Sequence, residues 1–139
     1  MKTELDEKLC KAFPKIFAQR NLPTNQTAMC WGFECGDGWY NLVYDLCSNI
    51  QKYCDENDIQ VEAVQVKQKF GTLRFYTCGA DDVIFNMIRE AEDMSHKICE
   101  DCGTTEFVKI RDGRWIQTLC DGCYQKSSSP QECFIRGYN

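Results

Sequence analysis

Apolar residues at Leu5, Leu9, Phe13, Ile16 and Phe17 recur at helical spacing through the opening stretch "TELDEKLCKAFPKIF". That period predicts one helix, or two short ones where Pro14, which has no amide hydrogen to donate, restarts the chain. A loop-like segment, "LPTNQTAM", follows. The pattern is then strongest at Trp39, Leu42, Val43, Leu46, Cys47, Ile50, Tyr53 and Cys54, which keep to one helical face. A long amphipathic helix is expected here. Asp37 stands where an N-cap carboxylate accepts the free amides of a first turn, and "DEND" ends the helix.

The period then falls from 3.6 to 2. In "VEAVQVKQKFGTLRFYTCG", Val64 and Val66 alternate with polar residues, Phe70-Gly71-Thr72 supplies a turn, and Leu73, Phe75 and Thr77 alternate with Arg74 and Tyr76. A β-hairpin is the expected element. Helical spacing returns in "DDVIFNMIREAEDMSHKI", with Ile84, Met87, Ile88, Ala91, Met94 and Ile98 on one face and Asp81 or Asp82 as the cap. This helix is expected to run straight into Cys99, carrying His96 with it.

Eleven cysteines change the picture, because four of them form two Cys-x-x-Cys pairs, Cys99/Cys102 and Cys120/Cys123, with 17 residues between. The opening "MKTELDEKLCKAF" interrupts its apolar residues with charges and does not read as a secretory signal, so the chain is expected in a cytosol, where thiols stay reduced. An odd cysteine count also argues against a disulfide framework. The spacing instead matches a structural zinc site, in which four thiolates surround the ion tetrahedrally. Gly103 and Gly122 are expected to permit the tight turn that aims each pair at one ion. Reduced core thiols and a thioredoxin-like redox pair are the alternatives, the latter opposed by the lack of a surrounding βαβ pattern. Between the pairs, "FVKI" and "RWIQTL" flank the turn "RDGR" and predict a second hairpin.

The predicted fold class is α+β: helices packed on a β-hairpin or small antiparallel sheet, with a C-terminal zinc-ribbon or treble-clef lobe. A treble clef is expected if the chain is helical from Tyr124. The expected division is a core over 1–98, a lobe over 99–125 and a loop-like tail over 126–139, all with one structural Zn2+. The only histidine, His96, lies close enough to Cys99 in sequence to approach the metal, although a polar helix face is the simpler place for it. Cys30 and Cys35 are candidates for half of a second site or for packing, and Cys47 and Cys54 read as small buried apolar groups.

Charge narrows the function classes. With 21 acidic and 16 basic side chains the chain carries a net charge of -5, which opposes the phosphate neutralisation that nucleic-acid binding depends on. Acid is concentrated on the two long helices, so Asp55, Glu56, Asp58, Glu90, Glu92 and Asp93 form a candidate acidic partner surface. Against the trend, Lys67, Lys69 and Arg74 lie beside Phe70, Phe75 and Tyr76, and the lobe adds Lys109, Arg111, Arg114 and Trp115. Basic residues interleaved with aromatics suit a stacking platform for single strands, or a sheet whose aromatics are core. No apolar run approaches the roughly 18 residues of a membrane span.

The motifs "WGFECGDGWYNLVYDLC", "QVKQKFGTLRFY" and "GRWIQTLCDGC", in that order, resemble those of a group of small bacteriophage and prophage proteins with a C-terminal four-cysteine zinc motif. The resemblance spans roughly Cys30 to Cys123 and brings no catalytic residue. It implies a virus-encoded protein in the cytoplasm of an infected bacterial cell, a setting in which small proteins engage a host or phage protein or block a defence system. Three functions stand beside one another. The first is a zinc-stabilised protein-binding module, which could inhibit a defence or nucleic-acid-processing machine. The second is a nucleic-acid-binding module using the basic strand and the lobe hairpin. The third is a hydrolase using His96 with Glu100 or Asp101. This last lacks a phosphate loop, a serine nucleophile motif and an open zinc position.

Overall fold

A computed structural model describes residues 1–127. The expected tail lies outside the described residues from 128 onward. The chain runs α1 (Thr3–Ala12), β1 (Phe33–Glu34), α2 (Tyr40–Asn57), β2 (Glu62–Lys69), β3 (Thr72–Cys78), α3 (Asp82–Ser95), β4 (Val108–Arg111) and β5 (Gln117–Cys120). A last helix, α4, covers 121–127. The architecture is α+β, as the two alternating periods require.

Helix α1 ends before Pro14, and Phe13, Ile16 and Phe17 continue into the core through a run of turns. Phe17 packs edge-on against Phe33, with ring centroids 4.9 Å apart. Strands β2 and β3 form the expected hairpin, and β1 adds to it in parallel, pairing Phe33 with Val66 and Glu34 with Lys67. The alternation in β2 differs from expectation. The register shifts between Ala63 and Gln65, so Val64 is the extra residue of a bulge, and Ala63 and Val66 take the buried positions. In β3, Leu73 and Phe75 face the core as their spacing predicts.

Helices α2 and α3 run antiparallel across this sheet. Leu42, Val43, Leu46, Cys47, Ile50 and Cys54 of α2 are buried, as are Ile84, Ile88 and Ala91 of α3. Tyr53, near the end of α2, donates its hydroxyl to Asp81 Oδ2 at 2.6 Å. Asp81 Oδ1 in turn accepts the Ile84 amide at 3.0 Å, the capping role anticipated for it. These two bonds, the Tyr53 hydroxyl foremost, hold the Asp81 carboxyl below its ordinary range.

Two helix boundaries are corrected. Asp37 does not cap α2: it opens a short 3-10 turn, Asp37–Trp39, and its carboxylate accepts the Lys2 amide at 2.7 Å. Nor does α3 reach Cys99. It stops at Ser95, whose hydroxyl turns back to the Glu92 carbonyl and accepts the Leu73 amide at 3.0 Å. The chain then tightens into a turn, the Lys97 and Ile98 amides bonding the Met94 and Ser95 carbonyls, and His96 lies in that turn, exposed.

Candidate metal centre

The two cysteine pairs arrive from different local structures. Cys99 to Gly103 forms a closed knuckle, in which the Cys99 amide donates to the Thr104 carbonyl and the Gly103 amide to the Cys99 carbonyl, both at 2.9 Å. Gly103 adopts φ +82°, a left-handed conformation that glycine alone enters freely. Hairpin β4–β5 then delivers Cys120 at the end of a strand, and α4 begins at once, placing Cys123 in its first turn. Knuckle, hairpin and helix follow in that order, and the helix is the feature a treble clef has and a zinc ribbon lacks. Gly122 plays no part in a tight turn, contrary to expectation: it is helical, and a Cβ there would meet nothing within 4 Å.

The four sulfurs of Cys99, Cys102, Cys120 and Cys123 lie within 4.8 Å of one another, and Cys102 Sγ is 3.8 Å from Cys120 Sγ. Metal–sulfur bonds of about 2.3 Å in a tetrahedron imply sulfur–sulfur edges of about 3.8 Å. The donor set therefore fits one thiophilic cation such as zinc. Cys123 donates its amide to Cys120 Sγ at 3.4 Å, and this bond pulls the Cys120 thiol down to about 7, whereas burial pushes Cys123 up. Four adjacent sulfurs cannot all be ionised without a positive charge among them, so an ion would bind in competition with protons.

The knuckle is seated on the core by a segment whose role the sequence did not reveal. In "CGDGW", Gly38 donates its amide to the Glu100 carbonyl at 2.7 Å, and Trp39, fully buried, donates its indole N–H to the Ile98 carbonyl at 2.9 Å. A Cβ on Gly38 would lie closer than 3.0 Å to the Cys99 and Glu100 carbonyl oxygens and the Gly103 nitrogen. Glu100, only 5% exposed, accepts the Gly36 amide at 2.9 Å. Burial pushes its carboxyl up, tempered by that amide. On the other side of the knuckle the Glu100 amide donates to the Thr118 carbonyl at 2.9 Å. The Thr118 hydroxyl reaches the Gly71 carbonyl at the β2–β3 turn, and Gln68 Nε2 donates to the Ile116 carbonyl at 3.0 Å. The signal available in the sequence was a pair of glycines two apart ahead of a tryptophan, a pattern of close backbone approach.

Other candidates fall elsewhere. Among the described residues no further group of three metal-ligating side chains clusters, and Cys30 and Cys35 remain apart from the four. Cys30, half-buried, donates its thiol to the Thr27 carbonyl at 3.2 Å, and Cys35 is buried. Cys47 and Cys54 are buried as expected. His96 is outside the sulfur cluster and exposed, Glu100 accepts the Gly36 amide, and Asp101 is exposed.

The acidic six do not form one surface. Asp55, Glu56 and Asp58 stand at the end of the helix pair where Tyr53 meets Asp81, while Glu90 and Asp93 lie toward the other end, and Glu92 Oε2 accepts the Phe75 amide at 3.2 Å. An apolar groove of about 220 Å³ between α2 and α3 is lined by buried Leu42, Leu46 and Ala91 and by exposed Met94, Asp45 and Glu90. Among the basic residues, Arg111 is spent inside the lobe: it pairs with Asp121, donates Nε to the Leu119 carbonyl at 3.2 Å and stacks over Tyr124 at 4.6 Å. Lys67 and Arg74 are half-buried and face each other across β2 and β3, whereas Lys69, Lys109 and Arg114 are exposed. Among the described residues no helix is long and apolar enough to cross a membrane. No family model, no curated protein and no solved structure matches the chain.

Proposed function

We propose that this is a zinc-stabilised binding protein, encoded by a bacteriophage and acting in the cytoplasm of the infected bacterial cell on a host or phage protein. One observation carries the reading: four cysteine sulfurs converge within 4.8 Å and supply a full tetrahedral set from the protein itself. Such a site leaves no position for a water or substrate, so one zinc ion there is structural. It fixes the knuckle against Gly38 and Thr118 and thereby rigidifies a scaffold for recognition.

The contact surface in this reading is the groove between α2 and α3. Its apolar lining and the exposed Asp45 and Glu90 complement an apolar segment flanked by basic residues. A basic channel of a defence or nucleic-acid-processing machine offers such a surface, and covering it would inhibit the machine. The test is native mass spectrometry of the tagged protein recovered from infected cells. One zinc and one stoichiometric protein partner, with the partner lost on Asp45→Lys/Glu90→Lys while the zinc stays, is the expected result. A zinc-free protein that keeps its fold, or a partner indifferent to the charge reversal, overturns it.

A further inference from the structure

We infer that the turn between β2 and β3 and the tip of the lobe hairpin together form a stacking ridge for single-stranded nucleic acid, separate from the groove between the helices. The ridge begins with an unusual turn. Phe70 and Gly71 both have positive φ, +55° and +83°, a two-residue turn that ordinarily favours Asn-Gly. Here the first position holds phenylalanine, which pays for a left-handed backbone with no compensating burial: the side chain is 65% exposed. A bulky apolar group held in a disfavoured conformation and presented to solvent has no role in the core.

The second element of the ridge is brought alongside by the docking already described. A Cβ on Gly71 would sit 3.5 Å from Ile116 Cγ2 and 3.2 Å from Thr118 Oγ1, so the turn rests on the start of β5. Each member of the Gly71–Ile116 contact has an exposed aromatic immediately before it in the chain: Phe70, and Trp115 at 67% exposure. Beside Trp115 opens a hollow of about 300 Å³ whose lining includes Arg111, Asp112, Arg114, Leu119 and Tyr124. Two projecting rings and an adjoining hollow suit flat, hydrophobic ligands joined in series.

Charge selects among such ligands. Lys69, whose ammonium lies 5.8 Å from the Phe70 ring centroid, Lys109 and Arg114 are exposed and form no ion pair among the described residues. Residues 61–80 and 104–118 hold six of the chain's 16 basic side chains but only three of its 21 acidic ones, Glu62, Glu106 and Asp112. Exposed Lys69, Lys109 and Arg114 therefore lie in the same two segments as the projecting Phe70 and Trp115. Stacking rings flanked by unpaired cations are what a single strand requires: faces for bases and charges for phosphates. A duplex keeps its bases stacked on one another and leaves Phe70 and Trp115 unused.

The test is fluorescence anisotropy of the zinc-loaded full-length protein with labelled 12-nucleotide oligo(dT), oligo(rU) and a mixed-sequence duplex, from 20 to 200 mM salt. The expected result is binding of one or both single strands in preference to duplex, weakening steeply with salt. Phe70→Ala and Trp115→Ala should each lower the affinity on the order of tenfold, and Lys69→Glu/Arg114→Glu should lower it further and flatten the salt dependence. Phe70→Asn separates stacking from folding: it should lose affinity equally while melting no lower than the parent. Binding at 20 mM salt that is undetectable for both single strands, stronger for duplex, or unchanged in the aromatic variants overturns the inference. A protein partner that is lost with Phe70→Ala, with no oligonucleotide bound, also overturns it. The DNA and RNA arms tell which backbone is preferred.

Discussion

Substitution of Gly38 by alanine is the sharpest probe of how the metal centre is held. The added methyl group would come closer than 3.0 Å to three backbone atoms, the Cys99 and Glu100 oxygens and the Gly103 nitrogen. Backbone cannot rotate away as a side chain can, so the knuckle must move off the 36–39 segment. That movement breaks the Gly38–Glu100 bond of 2.7 Å and strains the Trp39–Ile98 bond of 2.9 Å. Overpacking of this kind costs about 1–3 kcal/mol, and each buried hydrogen bond contributes about 1 kcal/mol. A total near 3–5 kcal/mol follows, a large part of the roughly 5–15 kcal/mol available to a typical domain.

Urea unfolding of the zinc-loaded protein, with zinc affinity measured by competition against a chromophoric chelator, reads both consequences. Stability and zinc affinity should fall together, because the displaced residues include two of the ligands' immediate neighbours. Gly122→Ala is the control. It adds the same methyl group within the lobe, one residue from Cys123, but into open space and on a helix, so it should be neutral or stabilising by up to about 1 kcal/mol. Equal stabilities for Gly38→Ala and the parent would refute the reasoning. So would a Gly122→Ala protein as damaged as Gly38→Ala.

Chelation of the metal should add Cys120, whose thiol is held down to about 7, to those alkylated at pH 8, a change read by intact-mass spectrometry. Cys10 and Cys35, pushed up to about 12, and Cys47, also pushed up, all with burial as the chief cause, should stay unmodified in the folded protein. The Asp81 carboxyl, held below its ordinary value by Tyr53 and the Ile84 amide, contributes stability that is complete above about pH 4 and lost as pH falls through its lowered value. Tyr53→Phe should therefore flatten the acid limb of a melting-temperature profile. Phe70→Asn should stabilise the protein by about 1 kcal/mol in urea unfolding by relieving the left-handed backbone, and a destabilised variant would show that the turn is not strained.

The two long helices and the metal ligands were legible because their signals are local. The faces of α2 and α3 recur every turn, and each Cys-x-x-Cys carries its own geometry. What escaped is set by partners far along the chain. Asp37 has the chemistry of an N-cap, and nothing near it in sequence tells that Lys2 will claim its carboxylate. Val64 fits an alternating strand, but a bulge opposite Thr77 and Tyr76 moves Ala63 inward in its place. Strand β1 is two residues long and acquires its identity only by pairing with β2. His96 fits a continuing helical face, but α3 ends at Ser95, whose hydroxyl meets the Leu73 amide 22 residues away.

The seat of the knuckle also governs the order in which the molecule is assembled. Glu100 meets Gly36 across 64 residues of sequence, and Thr118 meets Gly71 across 47. Such distant pairings close large loops and form slowly compared with a helix or a two-residue turn. The knuckle of Cys99 and Cys102 closes on its own local bonds, but its seat against Gly36 and Gly38 is made only once those distant segments meet. A nascent chain cut off before residue 98 would therefore present Gly36, Gly38 and Trp39 as an open half-interface, its partners at Ile98 and Glu100 not yet made.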